Sequence, residues 1–275
     1  MAYKKYQFVG SKVDYWLPDD VTVEISIVPA GVTNVRSNQF SLDQTSLTIH
    51  ETANFNAGAN ADMHKRWLHN GAGGAYVGFN FVVDDKKIIQ LTPLNEVTWA
   101  AGTPAGNRTS WHIESCVNSD ADLDRVRRNT AALAGAILAA QGWGMNDLVQ
   151  HNVWYGKDCP ALMRRNGIWA KQFVPMTDTF RKESIAASKG VAPTPKPEPA
   201  GKTFLLRFET PFRTTAGFWD YEKNQPNVMK NMAAGTRGEV LQGPVEVDKV
   251  NFYEVKVGNQ TGWLQDQVLH TLEIR

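Results

Sequence analysis

Proline occupies every second position from Pro193 to Pro199. Each ring removes a backbone hydrogen-bond donor and fixes φ at about −65°, so neither a helix nor an interior strand can run through this stretch. Residues 189–202, Lys-Gly-Val-Ala-Pro-Thr-Pro-Lys-Pro-Glu-Pro-Ala-Gly-Lys, are therefore predicted to form an extended, semi-rigid spacer. The spacer cuts the 275-residue chain into a part over 1–188 and a tail over 203–275. Two domains are also what the length suggests. Nothing in one part repeats in the other.

Composition narrows the function classes. A chain that is 42% hydrophobic and 21% charged can bury a sizeable core and is not a wholly disordered one. Its net charge of +1 argues against a nucleic-acid partner. Two cysteines, Cys116 and Cys159, exclude a disulfide scaffold and leave room for one metal thiolate or one reactive thiol. No apolar run follows Met1 at leader length, and none approaches the roughly 18 residues of a membrane span. The expectation is a chain made in the cytoplasm without a signal peptide and without membrane insertion. Nine tryptophans are many, and aromatics serve either as core or as stacking surfaces for a sugar or peptide.

The larger part interleaves strand and helix patterns. Leu47-Thr-Ile-His50 reads as a short strand. Phe79–Val83 and Ile88–Leu91 flank the polar Asp84-Asp-Lys-Lys87, which predicts a hairpin. Trp111–Val117 alternates, setting His112, Glu114 and Cys116 on one face of a strand. Asn118-Ser-Asp120 offers N-cap residues for a helix whose apolar positions Val126, Leu133, Ile137 and Ala140 run to a stop at Gly142. A shorter helix is predicted from Asn60 to His69. Such interleaving argues for an α/β sheet with helices packed on it. In residues 1–45, Tyr3, Tyr6, Tyr15 and Trp16 are expected either to cover the sheet or to rim a groove. The tail differs: Phe204–Phe208, Gly238–Leu241, Asn251–Val257 and Thr261–Leu264 are short strand-like runs between turn residues, a small all-β unit of barrel type.

Three residues have the chemistry of metal ligands. His50 ends a strand, and His151 and Cys159 lie in Gln150-His-Asn-Val-Trp-Tyr-Gly-Lys-Asp-Cys-Pro160. Imidazole and thiolate suit zinc, and three protein ligands leave a fourth position open for water, whose pKa the ion lowers. Cys159 reads equally as a nucleophile with His151 or His112 as its base. Lys157, two residues before Cys159, is either a solvated loop lysine or a cation placed for a developing oxyanion. Glu114, inside an apolar strand, is either a general base or half of an ion pair.

Taken in order, these segments resemble the zinc N-acetylmuramoyl-L-alanine amidase family, which includes phage endolysins and peptidoglycan recognition proteins. The matching residues are Thr48-Ile-His-Glu-Thr-Ala-Asn54, Gly58-Ala-Asn-Ala61 with His64, Phe79-Asn-Phe81, Trp99-Ala-Ala-Gly102, Ile113-Glu114, and His151, Lys157, Cys159 and Pro160 in a His-x5-Lys-x-Cys-Pro pattern. The similarity covers roughly residues 45 to 175. It implies a mixed sheet flanked by helices and Zn2+ on His50, His151 and Cys159. It also implies Lys157 near the oxyanion, Glu114 as acid/base, and Thr52, Asn54, Phe79, Asn80 and Trp99 as substrate contacts. Phe79 stands where many members carry a catalytic tyrosine, and Ala100 where many carry a pocket histidine. The first departure shifts weight onto Glu114. The retained Cys159 favours an enzyme over a non-catalytic peptidoglycan-binding protein.

The tail resembles bacterial SH3-type cell-wall-binding domains through Gly235–Val240, Phe252-Tyr-Glu-Val255 and Thr261-Gly-Trp263. Together the parts have the layout of a phage endolysin. The implied partner is bacterial peptidoglycan, reached with the help of a separate membrane-permeabilising protein (a holin). Residues 203–275 hold eight Lys/Arg against nine Asp/Glu, which argues against wall targeting by a positive field. Phe218, Trp219 and Tyr221, before a polar turn, are the candidate wall contacts.

Overall fold

The computed structural model describes residues 2–190 and, in the C-terminal part, residues 203–206, 210–213, 228–233, 236–247, 250–266 and 272–274. The proline run and the candidate wall contacts Phe218, Trp219 and Tyr221 lie outside the described residues. The chain divides into two compact units, Met1–Pro193 and Thr194–Arg275.

The N-terminal unit contains strands β1 (Tyr3–Gln7), β2 (Asp14–Pro18), β3 (Thr22–Ile25), β4 (Ser46–Glu51), β5 (Phe81–Val83), β6 (Lys87–Gln90), β7 (Ser110–Ser115) and β8 (Leu148–Gln150). Its helices are α1 (Ala61–His69), α2 (Pro104–Thr109), α3 (Leu123–Gln141), α4 (Asn152–Tyr155), α5 (Ala161–Arg164) and α6 (Val174–Ser188). Six strands form one sheet in the order β3-β6-β5-β7-β4-β8. Only β5 and β6 pair antiparallel, as the hairpin pattern requires, and the other pairings are parallel. The sheet is mixed and flanked by helices.

Alternation along the central strands sorts side chains by chemistry. Leu47 and Ile49 of β4, Phe81 and Val83 of β5, and Trp111 and Ile113 of β7 share the main core with Leu133 and Ile137 of α3 and Phe180 of α6. Thr48, His50, His112 and Glu114 occupy the opposite face. In the β4–β7 ladder His50 stands level with Glu114. Residues at the start of the chain cover the sheet rather than rim a groove. Phe8, Tyr15 and Leu17 are buried in the main core. The Phe8 ring meets that of Phe81 edge-on at 4.8 Å, and the Tyr3 hydroxyl donates to Glu183 of α6 at 2.6 Å.

Helix ends follow local chemistry, with one correction. Asn60 caps α1 through a bond from the Met63 amide, and Gly142 ends α3 at φ 69°. The N-cap of α3, however, is Asp122, which accepts from the amides of Asp124 and Arg125. The expected capping residues Asn118–Asp120 instead brace a loop: Asn118 donates to Asp120, whose carboxylate also accepts from Gly58.

The C-terminal unit holds β9 (Thr203–Leu206), β10 (Thr210–Arg213), β11 (Val228–Met232), β12 (Arg237–Val247), β13 (Val250–Val257), β14 (Gln260–Asp266) and β15 (Leu272–Ile274). They pair antiparallel in the order β11-β10-β14-β13-β12-β9-β15. Phe212, Met232, Val240, Val255 and Leu264 form a small core of their own, with Tyr253 packed against it. This is the all-β unit expected from the tail, with three strands (β10, β11 and β15) that its pattern does not announce.

Helices α3 and α6 cross at Gly135, where a Cβ would lie 2.7 Å from both the Arg181 amide nitrogen and Phe180 Cβ. Gly135→Ala gains about 1 kcal/mol of helix propensity but overpacks a backbone contact at a cost of about 1–3 kcal/mol. The expected net result is a less stable protein in urea unfolding. A more stable variant would show that the crossing relaxes freely.

Candidate metal centre

His50 lies near the C-terminal end of β4, and His151 directly follows β8, the parallel neighbour of that strand. The His151 amide bonds the Ile49 carbonyl at 3.2 Å, which sets the two rings side by side with centroids 4.3 Å apart. Cys159 arrives on the loop before α5. That loop is held to β4 from two directions. The Glu51 carboxylate accepts from the Leu162 amide at 2.6 Å and the Met163 amide at 3.2 Å, capping the first turn of α5 where the free amides point outward. The Glu51 amide in turn points at Cys159 Sγ, 3.5 Å away. One ligand atom each from His50, His151 and Cys159 lies within 4.8 Å of the others, and all three residues are buried. Among the described residues no other group of three potential ligands converges in this way.

The electrostatics of the site are set by burial. His50 is held well below the usual histidine range by loss of water, then by His112, His151 and the Lys157 charge. Burial and Lys157 likewise lower His151, and burial brings His112 down to about 3. All three imidazoles are neutral at physiological pH, so each carries one lone pair. For His151 its place is clear. Nε2 lies 3.2 Å from the Ala101 carbonyl oxygen, which can only accept, so Nε2 carries the proton. The lone pair on Nδ1 is buried and has no partner. A buried acceptor without a donor, beside an imidazole and a thiol 4.0 Å apart (His50 Nδ1 to Cys159 Sγ), is the donor set a zinc ion requires.

Glu114 faces the cluster. Its Oε1 is 3.8 Å from His50 Nδ1, and its Oε2 is buried without a hydrogen bond. Burial, reinforced by Glu51, pushes its carboxyl up to about 7 against the opposing pull of Lys157. The Cys159 thiol is pushed up to about 12 by burial and by Glu114. A nucleophilic cysteine needs the reverse shift, and His112, fully buried and bonded to His50 and to the Gly106 carbonyl, is not free to act as its base. Lys157 is exposed on the loop between His151 and Cys159, yet its charge is felt at His50, His151, Glu114 and Cys159 alike.

The expected substrate contacts divide. Thr52 Oγ1 and Trp99 Nε1 are buried polar atoms with no hydrogen-bond partner, on half-buried residues. Asn54 is half-buried, its side-chain oxygen accepting from the Asn56 amide at 3.3 Å. Phe79 and Asn80 are more deeply buried than these. Phe79 is 2% exposed within a second core beside Leu68 and Val82. Asn80 is fully buried, donating to Thr92 and accepting from the His112 amide. Asn80 thereby braces the strand that carries His112 and Glu114. Two neighbours of the centre were not singled out by motif. Tyr155, 54% exposed, stands edge-on to His151 at 5.3 Å. It presses so closely on Gly102 that a Cβ there would lie 2.5 Å from its ring. Asn107 accepts from the amides of Ala100 and Ala101. A polar side chain just after the Pro104 helix start is the only trace of the latter in the sequence.

A His2Cys cluster at the strand ends of a mixed α/β sheet, with a carboxyl group alongside, defines a candidate metal-dependent hydrolase centre. Comparison with known proteins places the chain among amidases, which are hydrolases. Residues 41–162 match the family model described as N-acetylmuramoyl-L-alanine amidase. The chain is 30% identical over 206 residues to the N-acetylmuramoyl-L-alanine amidase CwlH of Bacillus subtilis (strain 168), covering 74% of this chain and 76% of CwlH. It is 34% identical over 145 residues to the amidase XlyA of the same organism, covering 52% of this chain and about half (48%) of XlyA. The solved catalytic domain of XlyA superposes with a TM-score of 0.52 at 32% identity, over 57% of this chain and 99% of that domain. The chain belongs to the N-acetylmuramoyl-L-alanine amidase family.

The raised Glu114 carboxyl has a consequence for the metal-free protein. A proton is held more tightly in the folded than in the unfolded chain, so stability from this group is full below about pH 4.5 and is lost as pH rises to about 7. The parent should therefore lose stability relative to Glu114→Gln across that interval and run parallel to it above. Urea unfolding at stepped pH in the presence of a chelator measures this, and a constant difference across the interval would contradict it.

Proposed function

We propose that the chain is a zinc-dependent amidase of the endolysin type. Its substrate would be the amide between the lactyl group of N-acetylmuramic acid and the L-alanine of the peptidoglycan stem peptide. The observation that carries this reading is the unpartnered, buried Nδ1 lone pair of His151 in a His50–His151–Cys159 cluster beside Glu114. His50, His151 and Cys159 would hold the ion. Bound there, zinc supplies Lewis acidity: it lowers the pKa of a coordinated water and draws charge from an acyl oxygen.

The chain's own residues account for the proton and charge movements. Glu114 accepts a proton from the attacking water and delivers it to the departing α-amino group of L-alanine as the C–N bond breaks. A carboxyl balanced near neutrality suits both halves of that transfer. The Lys157 ammonium offsets the charge that develops on the carbonyl oxygen. The Thr52 hydroxyl and the Trp99 indole N–H, each without a partner, would hydrogen-bond the stem peptide or sugar, with Asn54 beside them. No tyrosine hydroxyl is available at position 79, so proton transfer falls to Glu114. A thiol pushed up to about 12 speaks against a cysteine peptidase acting through Cys159. A complete ligand set with a free carboxyl oxygen speaks against a module that only binds the wall.

The C-terminal β unit would act as an SH3-like wall-binding domain, raising the local concentration of substrate for the catalytic unit, with Phe218, Trp219 and Tyr221 as its aromatic contacts. The site of action would be the bacterial cell wall, reached through a membrane opened by a separate holin-type protein. No helix among the described residues is long and apolar enough to cross a membrane.

Release of new L-alanine amino termini from purified peptidoglycan, read by mass spectrometry, should cease on chelation and return with added zinc. Activity indifferent to a chelator but abolished by a thiol alkylator would replace this reading with the cysteine mechanism. Glu114→Gln should keep its zinc and lose about 10²-fold or more in turnover; His50→Ala should lose both. Deleting residues 203–275 should weaken binding to intact walls more than turnover on a soluble muropeptide, and the opposite ranking would remove the anchoring role.

A further inference from the structure

The ligand histidine His50 has a buried partner on the next strand. His50 Nε2 and His112 Nδ1 are 3.0 Å apart, and His112 Nε2 lies 3.2 Å from the Gly106 carbonyl oxygen. That carbonyl can only accept, so His112 Nε2 carries the proton and His112 Nδ1 is a lone pair. A lone pair must receive its hydrogen from His50 Nε2, which leaves the lone pair of His50 on Nδ1. Nδ1 is the atom that faces Cys159 Sγ at 4.0 Å and Glu114 at 3.8 Å. The opposite assignment would set the lone pair of His112 against that of a carbonyl.

We propose that His112 is a positioning residue: through a fixed chain Gly106 C=O···H–Nε2 His112 Nδ1···H–Nε2 His50, it locks His50 in the one tautomer that presents Nδ1 to a metal. The Gly106 carbonyl is itself held. It belongs to α2, where Pro104 follows the N-cap Thr103, whose hydroxyl accepts from the Gly106 amide at 3.2 Å. A Cβ at Gly106 would come within 2.5 Å of Ala101 and 2.6 Å of Trp154, so nothing but glycine lets the turn sit this close. The same helix orients the second histidine. Asn107 accepts from the Ala100 and Ala101 amides at 3.1 and 2.7 Å, and the Ala101 carbonyl accepts from His151 Nε2. One six-residue helix thus dictates the tautomer of both ligand imidazoles, one through its backbone and one through a side chain.

The inference rests on the zinc reading of the cluster for its purpose but not for its geometry, and two measurements on the full chain separate them. In metal-free protein with 15N-labelled histidine, long-range 1H–15N correlation should show His50 and His112 protonated at Nε2. An Nδ1–H form of either residue overturns the proposal, whether or not zinc binds and whether or not any variant folds. In competition with a chromophoric chelator, His112→Leu should bind zinc about 10–100-fold more weakly than the parent. His112→Asn, whose amide oxygen can accept where Nδ1 does, should recover most of that loss. Equal affinity of His112→Leu and the parent, or of the two variants with each other, overturns it. Absence of zinc binding by the parent would strike the metal reading alone and leave the tautomer to the nitrogen spectrum.

Discussion

The parallel pairing of β4 with β7 is the constraint from which the site follows. Its ladder runs from Ser46 opposite Ser110 to Glu51 opposite Ser115. Because side chains alternate, one register places Leu47, Ile49, Trp111 and Ile113 against α3 and, on the other face, His50, His112 and Glu114 together. A slip by one residue would send imidazoles into the apolar core and leucines to the site. The main core therefore selects the register, and the register fixes how far Glu114 stands from His50. The geometry of the candidate site is a by-product of hydrophobic burial: the 3.8 Å between His50 and Glu114 is maintained by backbone hydrogen bonds and by packing on the far side of the sheet.

Burial then sets every protonation state in the same direction. The three histidines are pushed down and the Glu114 carboxyl and Cys159 thiol up, so in each case burial favours the uncharged form. Zinc held by His50, His151 and Cys159 would favour the ionised thiol that burial alone disfavours. Lys157 stays at the surface, and its charge still reaches His50, His151, Glu114 and Cys159.

Much of this was legible in the residues. His50, His151, Cys159 and Glu114 were readable because each is a titratable type in an apolar or turn context, and such residues have few structural reasons to be there. The hairpin over 79–91 and the helix ended by Gly142 follow from alternation and stop chemistry. The depth of Phe79 and Asn80 is not legible in their segment: matching a segment says which strand it is, not which of its side chains another layer covers, and Phe79 packs with Leu68 of α1 while Asn80 is bonded to Thr92 and the His112 amide. The α3 cap differs from the expected one because Asn118, Asp120 and Asp122 all have capping side chains, and only the fold decides which one meets free amides. The strands within residues 1–25 are short, and their alternation is broken by Lys4-Lys5 and Pro18, so their burial on the main core was visible only in space. His112 was noted on the right face, but its two nitrogen partners come from residues 50 and 106, a relation no local pattern encodes.

Glu51 closes the account. It follows the first ligand directly in the chain, and its carboxylate grips the two amides just beyond the last ligand, Cys159. The dipeptide His50-Glu51 therefore contributes a donor atom and also ties down the segment that delivers another from more than a hundred positions away. Convergence of the three residues then depends on the docking of that segment. A chain in which residues 151–163 have not docked offers a metal one histidine instead of three ligands, so occupancy of the centre would report on the folding of that segment as faithfully as any spectroscopic probe placed within it.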